Sequence, residues 1–404
     1  MIDIKDKHDC CGCTACSSVC PQKAITMKPD DLGFLYPKVD KTKCTNCGLC
    51  DKVCAFNDNY DKTLNISEPI AYAARHKDMS EMMKSRSGGA FAVLSDYILG
   101  NGGVVYGAGY EGHFVVKHKQ ATTKEERDEF RGSKYVQSDL SGIFQQIKED
   151  LKEGLTVLFS GTPCQTAGLN SFIGKALRQN LYLVDIICHG VPGPYVWRDY
   201  LAYLEKKYKK KIITVNFRDK EHFGWEKHFE TISFKGFDTP KSFDNYAYIF
   251  NSCATYRLSC GICHYTNLVR PSDITIGDFW GVERTDSEFG ADNKGCSLVL
   301  CNTEKGKKIF EIVKHQMNTI NAQLINVMQH NLYKPALLPK YRIDLENDYS
   351  KLGFEKTMKK YGLLGIKKLI IVEKKQTKHF VKKVIKKIFG EKLSHKLKKY
   401  VKYD

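Results

Sequence analysis

Two stretches settle how the chain begins: Cys10-Cys11-Gly12-Cys13-Thr14-Ala15-Cys16-Ser17-Ser18-Val19-Cys20-Pro21 and, 34 positions later, Cys44-Thr45-Asn46-Cys47-Gly48-Leu49-Cys50-Asp51-Lys52-Val53-Cys54. In each, three cysteines recur at two-residue gaps and a fourth follows after three more residues. Three thiolates so spaced wrap one face of a cubane cluster, and the fourth is aimed away, toward the cluster of the other run. The spacing therefore predicts two 4Fe–4S sites, one on Cys10, Cys13, Cys16 and Cys54, the other on Cys44, Cys47, Cys50 and Cys20. The rival is a pair of tetrahedral zinc sites, which Cys-x-x-Cys pairs also suit. Zinc sites rarely place three cysteines at successive gaps ahead of x-x-x-Cys-Pro, and rarely repeat the set. Cys11 falls at an x position and is expected to be a spare thiol beside the first cluster.

The pattern is similar to that of bacterial two-cluster ferredoxins. One departure is Ala55, which follows Cys54 where a proline would complete the second run; it alters a local turn and removes no ligand.

The remaining composition agrees with a cluster protein. No uncharged apolar stretch approaches the ~20 residues needed to span a bilayer. Met1-Ile2-Asp3-Ile4-Lys5-Asp6-Lys7 lacks the apolar core of a signal peptide. A cytoplasmic location is expected, and there the 16 cysteines read as ligands rather than disulfides. A hydrophobic content of 42% and aromatic content of 11% exclude wholesale disorder. The net charge of +17 invites a nucleic-acid partner, but residues 355–404 alone hold 17 Lys against four acids, leaving +4 for the first 354. The basicity belongs to a tail.

Along the chain, residues 61–70 read as a linker. From Ile70 to about Asn302, β-rich runs alternate with helical ones, among them Gly103–Gly107, Thr156–Ser160 and Leu181–Ile187. The expected class is α+β: a ferredoxin-like domain over residues 1–60, a mixed α/β body over 70–354, and a basic helical tail over 355–404. Residues 303–354 read as mainly helical.

Within the body, Ser87-Gly88-Gly89 precedes a helical run, where small residues let backbone N–H groups approach an anionic phosphate at a helix N-terminus. Arg131, Ser133 and Lys134 form a loop whose cations can contact a diphosphate. The plain alternative is a helix cap and a solvated basic loop. Cys164 and Cys188 follow predicted strand ends and Cys260 and Cys263 form a Cys-x-x-Cys loop, so the four can meet at one sheet edge. A rival makes Cys164 a nucleophile with His189 as its base, which leaves the Cys-x-x-Cys loop without a role. Cys253, Cys296 and Cys301 read as small buried residues. His113, His118, His189, His222, His228 and His264 can each be drawn as proton donors, with a structural role the default for any one. Trp225 and Trp280 can stack on a ring, with core packing the default.

Seven motifs, taken in order, resemble the family formed by the beta subunits of coenzyme F420 hydrogenases and dehydrogenases. They are Ser87-Gly88-Gly89, Arg131-Gly132-Ser133-Lys134-Tyr135, Gly161-Thr162-Pro163-Cys164-Gln165 and Cys188-His189-Gly190. They continue with Cys260-Gly261-Ile262-Cys263, Ser272-Asp273-Ile274-Thr275-Ile276-Gly277-Asp278-Phe279-Trp280-Gly281 and Asp292-Asn293-Lys294-Gly295. The resemblance implies FAD, bound at Ser87, Gly88, Gly89, Arg131, Ser133 and Lys134, and a further 4Fe–4S cluster on Cys164, Cys188, Cys260 and Cys263. It marks His189 and Asp278, both inside motifs, as catalytic candidates. Members differ in substrate, so no deazaflavin is implied. The expected function is an iron–sulfur flavoprotein oxidoreductase that passes electrons between clusters and FAD, to or from an organic or deazaflavin-type substrate. The expected partner is a redox protein or a small-molecule donor. The alternatives are a non-enzymatic electron-transfer subunit and a cysteine-dependent transferase with structural clusters.

In the tail, Phe380, Val381, Val384, Ile385, Ile388, Phe389, Leu393, Leu397, Tyr400 and Val401 fall on one helical face, with lysines largely opposite. Such a helix suits an anionic membrane surface or docking on a protein. Nucleic acid comes third, because the tail has little aromatic interleaving.

Overall fold

The computed structural model describes residues 1–56 and 62–374. The chain divides into two compact units, Met1–Glu346 and Asn347–Asp404.

The N-terminal repeat is a repeat of backbone as well as of cysteines. Gly12 (φ 72°) and Thr14 (φ 66°) in the first run answer Asn46 (φ 56°) and Gly48 (φ 75°) in the second, again 34 positions apart. Each pair of left-handed residues turns the chain before a short helix, Ala15–Val19 and Leu49–Lys52. A hairpin of β1 (Ile25–Pro29) and β2 (Leu35–Val39) joins the two halves.

The body contains β3 (Asn65–His76), β4 (Val104–Glu111), β5 (Val115–Ala121), β6 (Val157–Gly161), β7 (Leu181–Ile186), β8 (Ile212–Asn216), β9 (Glu230–Phe234), β10 (Lys241–Phe243), β11 (Ile274–Asp278), β12 (Ser297–Thr303) and β13 (Met317–Ala322). Eight of these form one mixed sheet in the order β13-β3-β12-β11-β7-β6-β4-β5, and β8 to β10 form a small second sheet. The middle strands β4, β6, β7 and β11 are parallel neighbours, and the flanks are antiparallel. Every residue of β12 is buried, as expected for a strand covered on both faces.

The structure moves two boundaries. Strand β3 begins at Asn65, inside the stretch read as a linker, and the supposedly helical 303–354 contains β13. Both segments are polar. In β13 only Met317 is fully buried, so an edge strand pairing with β3 leaves little alternation to detect.

One buried cluster decides how the cysteine runs sit on the body. Cys11, Cys13, Ala15, Val53, Ala55 and Phe56 pack with Phe144, Phe159, Leu169 and Leu183 in a shared core. Truncating one of those buried phenylalanines to alanine costs about 3–5 kcal/mol. The Tyr265 hydroxyl donates to the Ala55 carbonyl at 2.7 Å, so the segment read as a separate domain is built into the first compact unit.

Helix Arg342–Lys360 carries the chain into the second unit and breaks at Gly353 (φ 75°). Among the described residues no helix is long and apolar enough to cross a membrane. The apolar stripe from Phe380 to Val401 lies outside the described residues.

Candidate redox site

The cysteines assigned to the second cluster, Cys20, Cys44, Cys47 and Cys50, all line one small cavity of about 20 Å³. Backbone N–H groups already point at three of their sulfurs: Ile2 to Cys50 at 3.2 Å, Ala24 to Cys20 at 3.3 Å and Asn46 to Cys44 at 3.4 Å. Such amide contacts stabilise negative sulfur and tune a cluster's potential. In the other set, Cys16 faces Cys13, Cys10 and Cys54, and its burial pushes the thiol far above the ordinary range. Thiols this buried ionise only with a cation at hand, which is what bound iron supplies.

The body cysteines come from three elements. Cys164 lies in the first turn of helix Pro163–Leu177, directly after β6. Cys188 follows β7, and Cys260 and Cys263 belong to the 3-10 turn Leu258–Ile262 and its cap. The fold brings them together: Cys188 faces Cys260, Cys164 and Cys263; Cys260 faces Cys263 and Cys164; Cys263 faces Cys164. Burial raises Cys260 to about 12 and Cys263 to about 11. Cys164 goes the other way, to about 7, because the Cys11 thiol donates to it, aided by Thr162. The nucleophile reading needs His189 against Cys164, but His189 Nδ1 pairs with the Tyr256 hydroxyl at 3.0 Å. Burial also lowers the His189 pKa. Cys296 and Cys301 are buried in core clusters that hold none of these cysteines, and Cys253 is buried in a cluster against which Cys260 packs.

Beyond Cys188 opens a cavity of about 510 Å³, at the carboxyl ends of β6, β7 and β11, the usual ligand position in α/β sheets. Ser87, Gly89, Arg131, Ser133 and Lys134 line it, together with Cys188, His189 and Asp278. Gly88 has a different task from phosphate approach. A Cβ there would stand 2.1 Å from the Ala74 carbonyl oxygen and 2.6 Å from the Ser297 nitrogen, so its lack of a side chain serves strand packing. Its N–H donates to Ser297 Oγ at 2.9 Å and its carbonyl accepts from His76 at 2.7 Å.

The basic loop is more engaged than a solvated loop. Arg131 pairs with Glu81 at 2.5 Å and Asp128 at 2.8 Å, while its buried Nη1 has no hydrogen-bond partner. Lys134 donates to the carbonyls of Glu129 and Arg131, and burial brings it down to about 7. Both oxygens of Asp278 are occupied, Oδ1 by Trp225 Nε1 at 2.6 Å and Oδ2 by Arg218 Nη1 at 2.7 Å. The carboxylate thus fixes the cavity wall, where Trp225 and Trp280 stack at 4.6 Å and 10°. The stacking read for the tryptophans is with each other.

Two cavity residues carry no sequence signal. Arg218 bonds Asp278 and also donates to the Tyr135 hydroxyl at 3.3 Å. Arg86 donates to the Arg218 and Trp225 carbonyls; burial lowers it to about 10, and its Nε lacks a partner. Neither belongs to a spaced motif, so only their convergence reveals them. Unpartnered guanidinium nitrogens of Arg86 and Arg131 in one cavity wall suit an anionic ligand group such as a diphosphate. His228 beside them is held neutral, with burial and the two arginines Arg218 and Arg86 lowering it to about 3.

Residues 154–323 match the family described as the C terminus of the beta subunit in coenzyme F420 hydrogenase/dehydrogenase. Residues 9–57 match the 4Fe-4S dicluster domain. The F subunit of the F(420)H(2) dehydrogenase of Methanosarcina mazei is 23% identical over 326 residues, covering 77% of this chain and 84% of the relative. Over the cysteine runs alone, the B subunit of the Na(+)-translocating ferredoxin:NAD(+) oxidoreductase complex of Acetobacterium woodii is 44% identical over 48 residues, 12% of this chain and 13% of the relative. The ferredoxin-type protein MauM of Methylobacillus flagellatus is 44% identical over 52 residues, 12% and 22% of the two chains. A chain of the F420-reducing NiFe hydrogenase complex of Methanosarcina barkeri superposes with a TM-score of 0.40 at 18% identity, covering 74% of this chain and 92% of that one.

Proposed function

We propose that this chain, whose residues 154–323 match the C-terminal family of coenzyme F420 hydrogenase/dehydrogenase beta subunits and whose residues 9–57 match the 4Fe-4S dicluster domain, is an iron–sulfur flavoprotein subunit. In this reading, electrons pass along a line of sites from the N-terminal clusters to a flavin in the cavity. The carrying observation is the continuity of thiols: Cys11 and Cys13 of the N-terminal segment share one buried cluster with Cys164 of the body set packed against it, and Cys188 of the body set lines the cavity.

Cys164, Cys188, Cys260 and Cys263 hold the third cluster. FAD suits the cavity because it exchanges single electrons with clusters and a hydride with an organic substrate. The chain's own residues do the positioning. Ser133, Arg131 and Arg86 bind the anionic part of the cofactor. Asp278 holds Arg218 and Trp225 in place, and His189, tethered to Tyr256, stands next to Cys188 as the group that handles a proton at the cavity.

A second reading is an electron-transfer subunit whose catalytic partner is another chain; the Methanosarcina mazei relative is itself one subunit of a dehydrogenase. Anaerobic purification with flavin, iron and sulfide analysis tests the first reading, which requires all three in the isolated chain. Clusters without flavin overturn it. Turnover of an organic acceptor by the isolated, chemically reduced chain separates the two readings.

A further inference from the structure

Arg257 joins the two thiol sets that face each other. The residue is 1% exposed. Its backbone belongs to the body: its carbonyl accepts from the Cys260 N–H at 3.0 Å, and its own N–H donates to the Val191 carbonyl at 3.0 Å. Its guanidinium reaches across into the N-terminal segment. Nε donates to the Cys10 carbonyl at 2.6 Å, and Nη2 to the Leu35 carbonyl at 2.9 Å and the Cys10 sulfur at 3.5 Å. Nη1 donates to Gln137 Oε1 at 3.0 Å, and the same Gln137 amide donates to the Cys11 carbonyl at 2.8 Å. The planar group lies 4.1 Å from the Tyr36 ring centroid. Gly12 leaves room for it, since a Cβ there would approach Nη1 to 2.7 Å.

No carboxylate is among these contacts. The sulfur at hydrogen-bond distance from the cation is that of Cys10, with the sulfurs of Cys11 and Cys260 near it and the neutral Tyr36 ring against its face. A buried guanidinium is tolerated only when its charge is matched, and here iron-bound thiolate is what matches it. Positive charge beside a cluster stabilises the reduced form, which carries one more negative charge, and so raises its potential.

Resting on the function proposed above, we propose that Arg257 is a positioning residue for electron transfer: it clamps the Cys10 thiol set onto the body set and raises the reduction potential of the cluster held by Cys10, Cys13, Cys16 and Cys54. The electron comes from the external redox donor and adds to that cluster; Arg257 itself is neither oxidised nor deprotonated. The cluster on Cys20, Cys44, Cys47 and Cys50 lies outside its hydrogen bonds and serves as an internal control.

The test is an anaerobic redox titration of the full-length protein followed by electron paramagnetic resonance. Arg257→Gln should move one N-terminal cluster to lower potential and leave the other in place, with unchanged iron content. Arg257→Lys, which keeps the charge and loses the planar fork, should move it less. Equal shifts in the two variants, or none in either, overturn the proposal. If Arg257→Gln loses iron, Gln137→Met decides, because it frees Nη1 without removing the cation: a smaller shift of the same cluster supports the proposal, and an unmoved cluster overturns it. The readout needs neither flavin nor substrate, so absence of flavin would defeat the function above without touching this inference.

Discussion

Cys11 is buried in one cluster with Cys13, and Cys164 packs against it, which brings a spare thiol between two cysteines, Cys13 and Cys164, that lie more than 150 residues apart in sequence. Cys11→Ala should therefore keep full iron and sulfide while slowing reduction of the body site, measured by stopped-flow reduction through the N-terminal clusters. Loss of about four iron atoms would instead make Cys11 a ligand.

Three ligand sets predict about twelve iron atoms per chain, four per cubane. Cys188→Ser should lower the count toward about eight and leave the N-terminal signals intact, as read by iron analysis and low-temperature spectroscopy. An unchanged count would remove the body cluster.

Gly88→Val drives a side chain into the backbone of β3 and β12, so insoluble protein is expected rather than a selective loss of flavin. Arg86→Met is the selective change. If Arg86 holds the flavin diphosphate as proposed, the change removes a charge-assisted contact worth about 1.5–3 kcal/mol, and flavin affinity should fall roughly ten- to a hundredfold while the iron content is kept. Equilibrium dialysis of FAD reads this directly.

His118 stacks on Phe159 at 5.1 Å and 17°, donates from Nε2 to the Ser160 carbonyl at 3.0 Å and accepts at Nδ1 from Ser138 at 2.8 Å. Burial lowers its pKa to about 4. The folded state therefore binds its proton later than the unfolded state, whose histidine titrates near ~6.5. Stability from this residue is complete above about 6.5 and is lost as pH falls toward 4, by about 3 kcal/mol in total. His118→Phe should flatten that part of the stability profile in denaturant titrations at successive pH values. An unaltered slope would assign the acid limb to other groups.

For the basic tail the expectation is attachment to an anionic surface. Deleting residues 375–404 should abolish sedimentation with anionic vesicles and leave iron and flavin unchanged, because every candidate ligand lies earlier. Binding of the full chain should weaken from 0.1 M to 1 M salt as the Debye length falls from ~10 Å to ~3 Å. Indifference to vesicles would make the tail a protein-docking element.

The cysteine runs were legible in the sequence because each triplet of cysteines is local. Gaps of two residues, with left-handed turns at Gly12, Thr14, Asn46 and Gly48, place three sulfurs around a point without help from the rest of the chain. Strands β6 and β7 and the helix after Gly89 were legible for the same reason, as continuous apolar runs with glycine or proline at their ends. Residues whose partners are distant were not. Arg257 meets Cys10 across 247 positions and Arg218 meets Asp278 across 60, and neither pairing leaves a spacing to read. Gly88 was placed correctly ahead of its helix, but the atoms that forbid a side chain there belong to Ala74 and Ser297, which only strand pairing brings near. The polar edge strand β13 was missed because pairing with β3, not hydrophobic periodicity, makes it a strand. Local spacing thus determined how the N-terminal cysteines are grouped, whereas long-range pairing in the mixed sheet decided where the charges around the cavity stand, since buried cations are stable only where the fold brings acceptors to them.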